Sequence, residues 1–194
     1  MILFLLLLLF ILLIFLLLNK NENFAYDYIP DFISVYNSKL IKYKNTQSKI
    51  LLIGSVSQYK LDFINNYFND SIIYVYNEDR IKYKNFDDNI IQNDYNPFTI
   101  NSIKDFIDTK ISFDIIISCG QISIENYLFI AKYYINLLSL DGIILFENIE
   151  SLEHAILIID KIPIYIKNRI DIIDLRRINP EKYDKICLFL DKSQ

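Results

Sequence analysis

Short runs of Ile, Leu, Val and Phe recur along the chain from about residue 50 onward, separated by amphipathic stretches. The runs are continuous rather than alternating, which is typical of strands buried on both faces of a mainly parallel sheet. The predicted strands cover residues 50–53, 72–76, 89–92, 113–118, 142–147, 170–174 and 185–190, and the predicted helices cover residues 61–67, 100–108, 124–138 and 151–161. This alternation predicts a doubly wound α/β domain. Because only a loop separates the last two strands, we expect them to form an antiparallel closing pair.

The start of the chain carries a different signal. Residues 2–18 are all Ile, Leu or Phe, and a helix of about 17 residues is roughly 26 Å long, which suits a thin bilayer. No basic residue precedes this run and no good cleavage site follows it, which favours a retained transmembrane anchor. A cleaved signal peptide and a segment buried in a complex remain as alternatives. We therefore expect an anchor at residues 1–18, a tether and leading helix at 19–47, and the α/β domain at 48–194. The leading helix is expected to run from Pro30 to about Lys44, because Pro suits the first turn of a helix.

Charge near the anchor specifies the membrane side only weakly. Lys20 is offset by Glu22, so the positive-inside rule favours a cytosolic domain only marginally. The chain has one N-glycosylation sequon, Asn69-Asp70-Ser71, which we place in a surface loop. Occupancy of this sequon reports the membrane side directly.

Composition excludes several classes of protein. The net charge is −4 and Lys is scattered through the chain, which argues against a nucleic-acid binder that relies on a basic face. The two cysteines, Cys119 and Cys187, form neither a disulfide framework nor a zinc cluster. Only three residues are Gly, where roughly 13 are usual for this length. Each glycine is therefore informative.

All three glycines fall at ends of predicted strands. Gly54 ends the first strand, Gly120 ends the fourth, and Gly142 opens the fifth. In a doubly wound sheet, ligands bind beyond the carboxyl ends of the strands. Gly120 and Gly142 also suit ordinary turns, whereas Gly54, between a buried strand and a helix, permits close backbone approach to a ligand.

Five segments carry motifs in a recognisable order. They are LIGSVSQYKLDF at residues 52–63, YNED at 76–79, ND at 93–94, IISCGQI at 116–122 and LSLDGIILFEN at 138–148. Over about residues 48–192 the chain resembles the class I S-adenosylmethionine-dependent methyltransferases, most of all the sugar O-methyltransferase and cephalosporin-hydroxylase-like group. The resemblance implies a Rossmann-like, mainly parallel seven-stranded sheet with an antiparallel last strand, here preceded by the N-terminal transmembrane helix.

The resemblance also implies S-adenosylmethionine as the cofactor. It places Gly54 in the cofactor loop, Glu78 and Asp79 where the family holds the ribose, and Asp94 at the adenine position. Glu78 lies about 24 residues after Gly54, close to the spacing of roughly 20 expected of a ribose acid.

Several positions depart from the family pattern. Gln58 and Tyr59 stand where the cofactor loop usually has small residues. The family's metal-binding and base residues on the fourth strand are replaced by Ser118, Cys119 and Ile122. None of these three side chains is a good Mg²⁺ ligand or a proton acceptor near neutral pH, so no metal site is expected.

The sequence leaves the catalytic residues unknown, with Glu147 and His154 as the two candidates. Glu147 ends the fifth strand, and His154 is the only histidine and follows it closely. His154 is either a general base at the mouth of the crevice or a surface residue on a helix capped by Ser151. Cys119 is expected to be a buried thiol rather than a nucleophile. In the strand order that the resemblance implies, Cys119 and Cys187 do not lie on adjacent strands, so no disulfide between them is expected.

Two adjacent arginines follow the sixth predicted strand. Arg176 and Arg177 suit either binding of a phosphate or carboxylate, or a solvated surface pair, which is the preferred interpretation.

Two functional hypotheses follow. The first is a membrane-anchored methyltransferase-like enzyme that transfers a methyl group from S-adenosylmethionine to an oxygen of a sugar or other small molecule. The alternative is a catalytically inactive protein of the same fold, tethered to a membrane as a binding or structural protein, because fold does not fix function. Neither hypothesis involves nucleic acid.

Overall fold

The computed structural model describes residues 29–77, 87–93, 95–177 and 185–192. The chain divides into two compact units, residues 1–42 and 43–194. In the first unit, helix α1 spans Ile29–Leu40. The sequence predicted this helix to run from Pro30 to about Lys44, and the observed helix instead passes into a 3₁₀ turn at Ile41–Tyr43.

The second unit is built on one seven-stranded sheet. The strands are β1 (Lys49–Gly54), β2 (Ile72–Asn77), β3 (Ile90–Asn93), β4 (Phe113–Cys119), β5 (Leu138–Ile149), β6 (Ile170–Asp174) and β7 (Ile186–Asp191). Their order in the sheet is β3-β2-β1-β4-β5-β7-β6. Strands β1 to β5 are parallel, whereas β7 runs antiparallel to both β5 and β6. The predicted mainly parallel sheet with an antiparallel last strand is confirmed.

Four helices connect the strands within the described part of this unit. They are α2 (Gln58–Tyr67), α3 (Ile100–Asp108), α4 (Ile124–Tyr133) and α5 (Leu152–Lys161). Each begins after a Ser or Thr whose side-chain oxygen accepts a hydrogen bond from a backbone N–H in the first turn; these residues are Ser57, Thr99, Ser123 and Ser151. The predicted cap at Ser151 is confirmed. These caps fix where each chain segment leaves the carboxyl edge of the sheet.

The largest difference from the sequence prediction is the connection between α4 and β5. The predicted helix over residues 124–138 ends as an α-helix at Tyr133 and continues as a 3₁₀ turn over Tyr134–Leu137. Strand β5 then begins at Leu138, four residues before the predicted start at Gly142. The polar residues Ser139 and Asp141 interrupt the apolar run and hide the beginning of the strand from the sequence pattern.

The main core lies against the sheet on the side of α3, α4 and α5. Buried side chains from all three helices and from β1, β4, β5 and β7 form one cluster. Within it, Phe106 of α3 packs edge-to-face on Phe113 of β4, with ring centroids 5.0 Å apart. Strand β1 is buried at all but its first residue, as expected for a strand covered on both faces.

Among the described helices, none is long and apolar enough to cross a bilayer. The predicted anchor falls on residues 2–18, outside the described residues. It therefore stays a prediction.

Candidate functional site

The candidate site lies where the strand order reverses direction. Strand β1 sits between β2 and β4, and the chain moves outward from β1 to β2 and β3 on one side and to β4 and β5 on the other. In a doubly wound sheet this arrangement opens a crevice beyond the carboxyl ends of the two strands at the reversal. Residues 55–57, after β1, and residues 120–123, after β4, form its two lips.

The two lips touch through their backbones. The N–H of Ser55 donates a hydrogen bond to the carbonyl of Cys119 at 3.0 Å. Gly54 has φ of +112°, and a Cβ added there would lie 2.6 Å from the Cys119 carbonyl oxygen and 2.9 Å from Cγ2 of Ile122. Gly120 has φ of +71°, and its Cβ would lie 2.6 Å from the carbonyl oxygen of Ser55. The fold itself thus requires both glycines, whatever ligand binds nearby.

The third glycine plays no part in this contact. Gly142 lies inside β5 rather than at its start. It packs closely against the backbone of β4, since an added Cβ would lie 3.0 Å from the carbonyl oxygen of Phe113.

The loop after β1 is held in place at each residue. Ser55 is bonded to β4 as described, and the buried side chain of Asn77, at the end of β2, donates to the carbonyl of Val56 at 3.0 Å. Ser57 caps α2 by accepting from the N–H of Lys60 at 3.1 Å. The loop is therefore preorganised, which lowers the entropic cost of binding a ligand against it.

A buried ion pair crosses the end of β4. Lys60, in the first turn of α2, places its Nζ 2.7 Å from Oε1 of Glu147 on β5, and the two side chains are 19% and 4% exposed. The backbone of Glu147 is fixed as well, because its N–H donates to Oγ of Ser118 at 3.1 Å and its carbonyl accepts from the hydroxyl of Tyr127 at 2.5 Å. Glu147 thus holds α2 to β5. A carboxylate bound to an ammonium in this way is poorly placed to take a proton from a ligand.

Both cysteines are buried and unsuited to nucleophilic chemistry. Loss of hydration on burial raises the pKa of the Cys119 thiol to about 12, and the same cause raises the pKa of Cys187. Strand β5 lies between the strands that carry them. Two interstrand spacings amount to about 10 Å, too far for a disulfide. The sequence prediction that these cysteines lie on non-adjacent strands is confirmed.

Next to the crevice, a cleft of about 230 Å³ opens between the starts of α4 and α5. The cleft is lined by Gln121, Ile122, Ser123, Ile124, Tyr127, Glu150 and His154. Across it, Nε2 of Gln121 donates to Oε1 of Glu150 at 2.6 Å. His154 is half-buried and lines this cleft.

The remaining predicted site residues fall in two groups. Glu78, Asp79 and Asp94, the predicted ribose and adenine contacts, lie outside the described residues. Arg176 is engaged within its own chain, because its guanidinium donates twice to the carboxylate of Asp174, at 2.7 and 2.8 Å. Those hydrogen bonds hold the pKa of Asp174 below its usual value.

Among the described residues, no group of three or more His, Cys, Asp or Glu side chains is arranged to hold a metal ion.

No protein-family model and no curated protein matches this sequence. Solved structures do match. The MycE methyltransferase of the mycinamycin biosynthetic pathway, in complex with Mg and SAH, has a TM-score of 0.61 at 16% identity over 84% of this chain. Human methyltransferase-like protein 13, in complex with SAH, has a TM-score of 0.52 at 11% identity over 73% of this chain and 70% of its own length.

A protein-(glutamine-N5) methyltransferase from Alicyclobacillus acidocaldarius has a TM-score of 0.56 at 10% identity, over 84% of this chain and 92% of that one. The fold is that of the class I S-adenosylmethionine-dependent methyltransferases. At these identities the likeness concerns the fold alone. The chain spans about half the length of MycE.

We expect Lys60→Met to lower the free energy of unfolding by about 1–3 kcal/mol, because it removes an ammonium from a nearly buried carboxylate. Lys60→Arg keeps the charge and should cost less. Urea unfolding of the full chain in mild detergent, followed by circular dichroism, measures both.

A matched control is Lys167→Met, since Nζ of Lys167 lies 3.8 Å from Oδ1 of Asp160 in a more exposed pair, whose side chains are 32% and 68% exposed. Exposed pairs contribute little, so this variant should lose less than about 0.5 kcal/mol. Equal losses at Lys60 and Lys167 would show that the buried pair has no special role.

Proposed function

We propose that this protein is an S-adenosylmethionine-dependent methyltransferase whose cofactor binds at the crevice between β1 and β4. The observation that carries this proposal is the preorganised loop 55–57 at the reversal of strand order, in a fold whose solved examples include two bound to SAH. In the proposed site the loop after Gly54 borders the methionine portion, Glu78 and Asp79 bind the ribose, and Asp94 contacts the adenine.

The described residues fit this cofactor on one side only. The ordered loop offers a fixed polar edge, whereas the side chain of Ile122 packs against Gly54 from the segment after β4. A ligand that reaches from the loop after Gly54 into the cleft would have to displace this side chain.

When bound, S-adenosylmethionine supplies a methyl group activated for transfer to a nucleophile. The cleft beside the crevice is the proposed acceptor site, and its volume of about 230 Å³ suits a small molecule or one end of a larger one. His154 lines this cleft and is the residue proposed to accept the proton of an acceptor hydroxyl. Positioning of the two reactants supplies much of the rate enhancement. A sugar or small glycoside is the proposed acceptor class, on motif resemblance.

A second candidate is an inactive protein of the same fold that serves as a binding or structural protein. The observations that favour it are the packing of Ile122 against Gly54 and the ion pair of Glu147 with Lys60. Both candidates include the proposed anchor at residues 2–18, which is supported by its unbroken apolar sequence.

Cofactor binding separates the two candidates. We expect SAH to bind the full chain in mild detergent with a dissociation constant in the micromolar range, and the double variant Glu78→Ala, Asp79→Ala to abolish binding. Isothermal titration calorimetry measures both. The matched control is Asp70→Ala with Asp108→Ala, which removes two exposed carboxylates away from the proposed ribose site and should leave binding unchanged.

Absence of binding at millimolar SAH would contradict the methyltransferase proposal and support the inactive protein. Binding that survives the Glu78 and Asp79 changes would contradict the proposed ribose contacts.

Methyl transfer tests the role of the cleft. With methyl-labelled S-adenosylmethionine and a panel of small glycosides, we expect label in an acceptor oxygen, at least tenfold less of it with His154→Ala, and normal transfer with Glu153→Ala. The two residues are neighbours on α5, but only His154 lines the cleft. Equal rates for both variants would exclude His154 as the proton acceptor.

Membrane attachment is tested by extraction. We expect the full chain to stay with membranes in alkaline carbonate, and the same chain without residues 2–18 to be released, because a buried apolar helix resists removal of electrostatic contacts. Release of the full chain would contradict the anchor. Glycosylation at Asn69, whose side chain is exposed, would place the domain on the luminal or outer side.

A further inference from the structure

One side chain lies between the crevice and the cleft. Cγ2 of Ile122 is 2.9 Å from the position that a Cβ on Gly54 would take, so it fills the space directly beside the end of β1. The same residue lines the cleft that also contains His154. Ile122 is 8% exposed and packs into the main core cluster.

The other group beside Gly54 is not free to move. The carbonyl of Cys119 accepts the hydrogen bond from Ser55, and Cys119 pairs with Gly54 in the ladder between β1 and β4. Moving this carbonyl would break the contact that holds the loop after β1. The side chain of Ile122 belongs to the segment after β4, so it can move by rotation about its own Cα–Cβ bond. That rotation is restricted, because a β-branched side chain has few accessible χ1 conformations.

We propose that Ile122 is a gating residue that separates the cofactor crevice from the cleft and limits the affinity for S-adenosyl ligands. A ligand bound across both spaces displaces Cγ2 of Ile122 from Gly54, and the cost of that displacement is subtracted from its binding energy. The inference rests on the proposed function, since it concerns the affinity of the same site.

The chain offers a graded set of variants to test this gate. Ile122→Ala removes both γ carbons, and Ile122→Leu keeps the bulk while removing the branch at Cβ. Ile122→Val keeps both γ carbons and removes only the terminal methyl group. Ile162→Ala is the matched control, because Ile162 is buried in the same core cluster and loses the same atoms but lines neither the cleft nor the space beside Gly54.

The experiment is calorimetric titration of each full-length variant with SAH in mild detergent. We expect Ile122→Ala to bind at least tenfold more tightly than the natural chain and Ile122→Leu to lie between them. Ile122→Val and Ile162→Ala should remain within about twofold of the natural chain. Near-ultraviolet circular dichroism reports folding, and if Ile122→Ala is unfolded the comparison rests on Ile122→Leu, which keeps the core volume.

The outcomes distinguish the gate from the proposed function. Tighter binding by Ile122→Ala or Ile122→Leu supports the gate, also where the natural chain does not bind. Binding by the natural chain that neither variant improves overturns the gate and leaves the proposed function intact. An equal gain with Ile162→Ala overturns the gate too, because the gain would then come from loosening the core in general. No binding by any chain at millimolar SAH overturns both.

Discussion

The rest of the site depends on the backbone contact between the ends of β1 and β4. The hydrogen bond from Ser55 to the carbonyl of Cys119 brings two strand ends together at the point where the sheet reverses its order. Because Gly54 and Gly120 lack side chains, the chain can leave each strand without a collision. The contact sets where α2 begins, and therefore where Lys60 lies, and it brings Ile122 against Gly54. The ordered loop and the packing of Ile122 against Gly54 thus have one cause.

This arrangement combines features that favour ligand binding with features that stabilise the region in the absence of a ligand. A preorganised loop at the carboxyl edge is what a nucleotide-like cofactor needs. The Lys60–Glu147 pair and Ile122, however, stabilise the same region without a ligand. If the proposed gate holds, stability and binding compete here, since a ligand that spans the crevice and the cleft displaces the side chain of Ile122 that packs against Gly54. A protein of this fold can therefore be a weakly binding enzyme or an inactive relative depending on a few side chains.

Much of the fold was predictable from the sequence because strands covered on both faces carry continuous apolar runs. The short connection between β6 and β7 likewise indicated their antiparallel pairing, which the structure confirms. The start of β5 was not predictable, because Ser139 and Asp141 break its apolar pattern while the backbone still pairs with β4 through Leu138. The polar side chains at this position do not indicate a strand, although the backbone pairs as one. The start of β5 is therefore evident only from the tertiary structure.

The site was less predictable than the fold. The glycines stood out because they are so few, but what fills the space beside Gly54 depends on a residue from the other lip of the crevice. The Lys60–Glu147 pair joins residues 87 positions apart, and no local pattern indicates such a contact. The sequence indicates of Ile122 only that it is a poor metal ligand. An isoleucine side chain has no reactive or polar group, so its position against Gly54 is set by packing alone.

Amide hydrogen exchange of the full chain with and without SAH tests the central claim, that the crevice between β1 and β4 is the ligand site, most directly. The account predicts slower exchange on SAH addition at the amides of residues 54–57 and 120–123, with the amides of the β6–β7 edge unchanged. Slower exchange confined to other parts of the chain, with residues 54–57 and 120–123 unaffected, would contradict it.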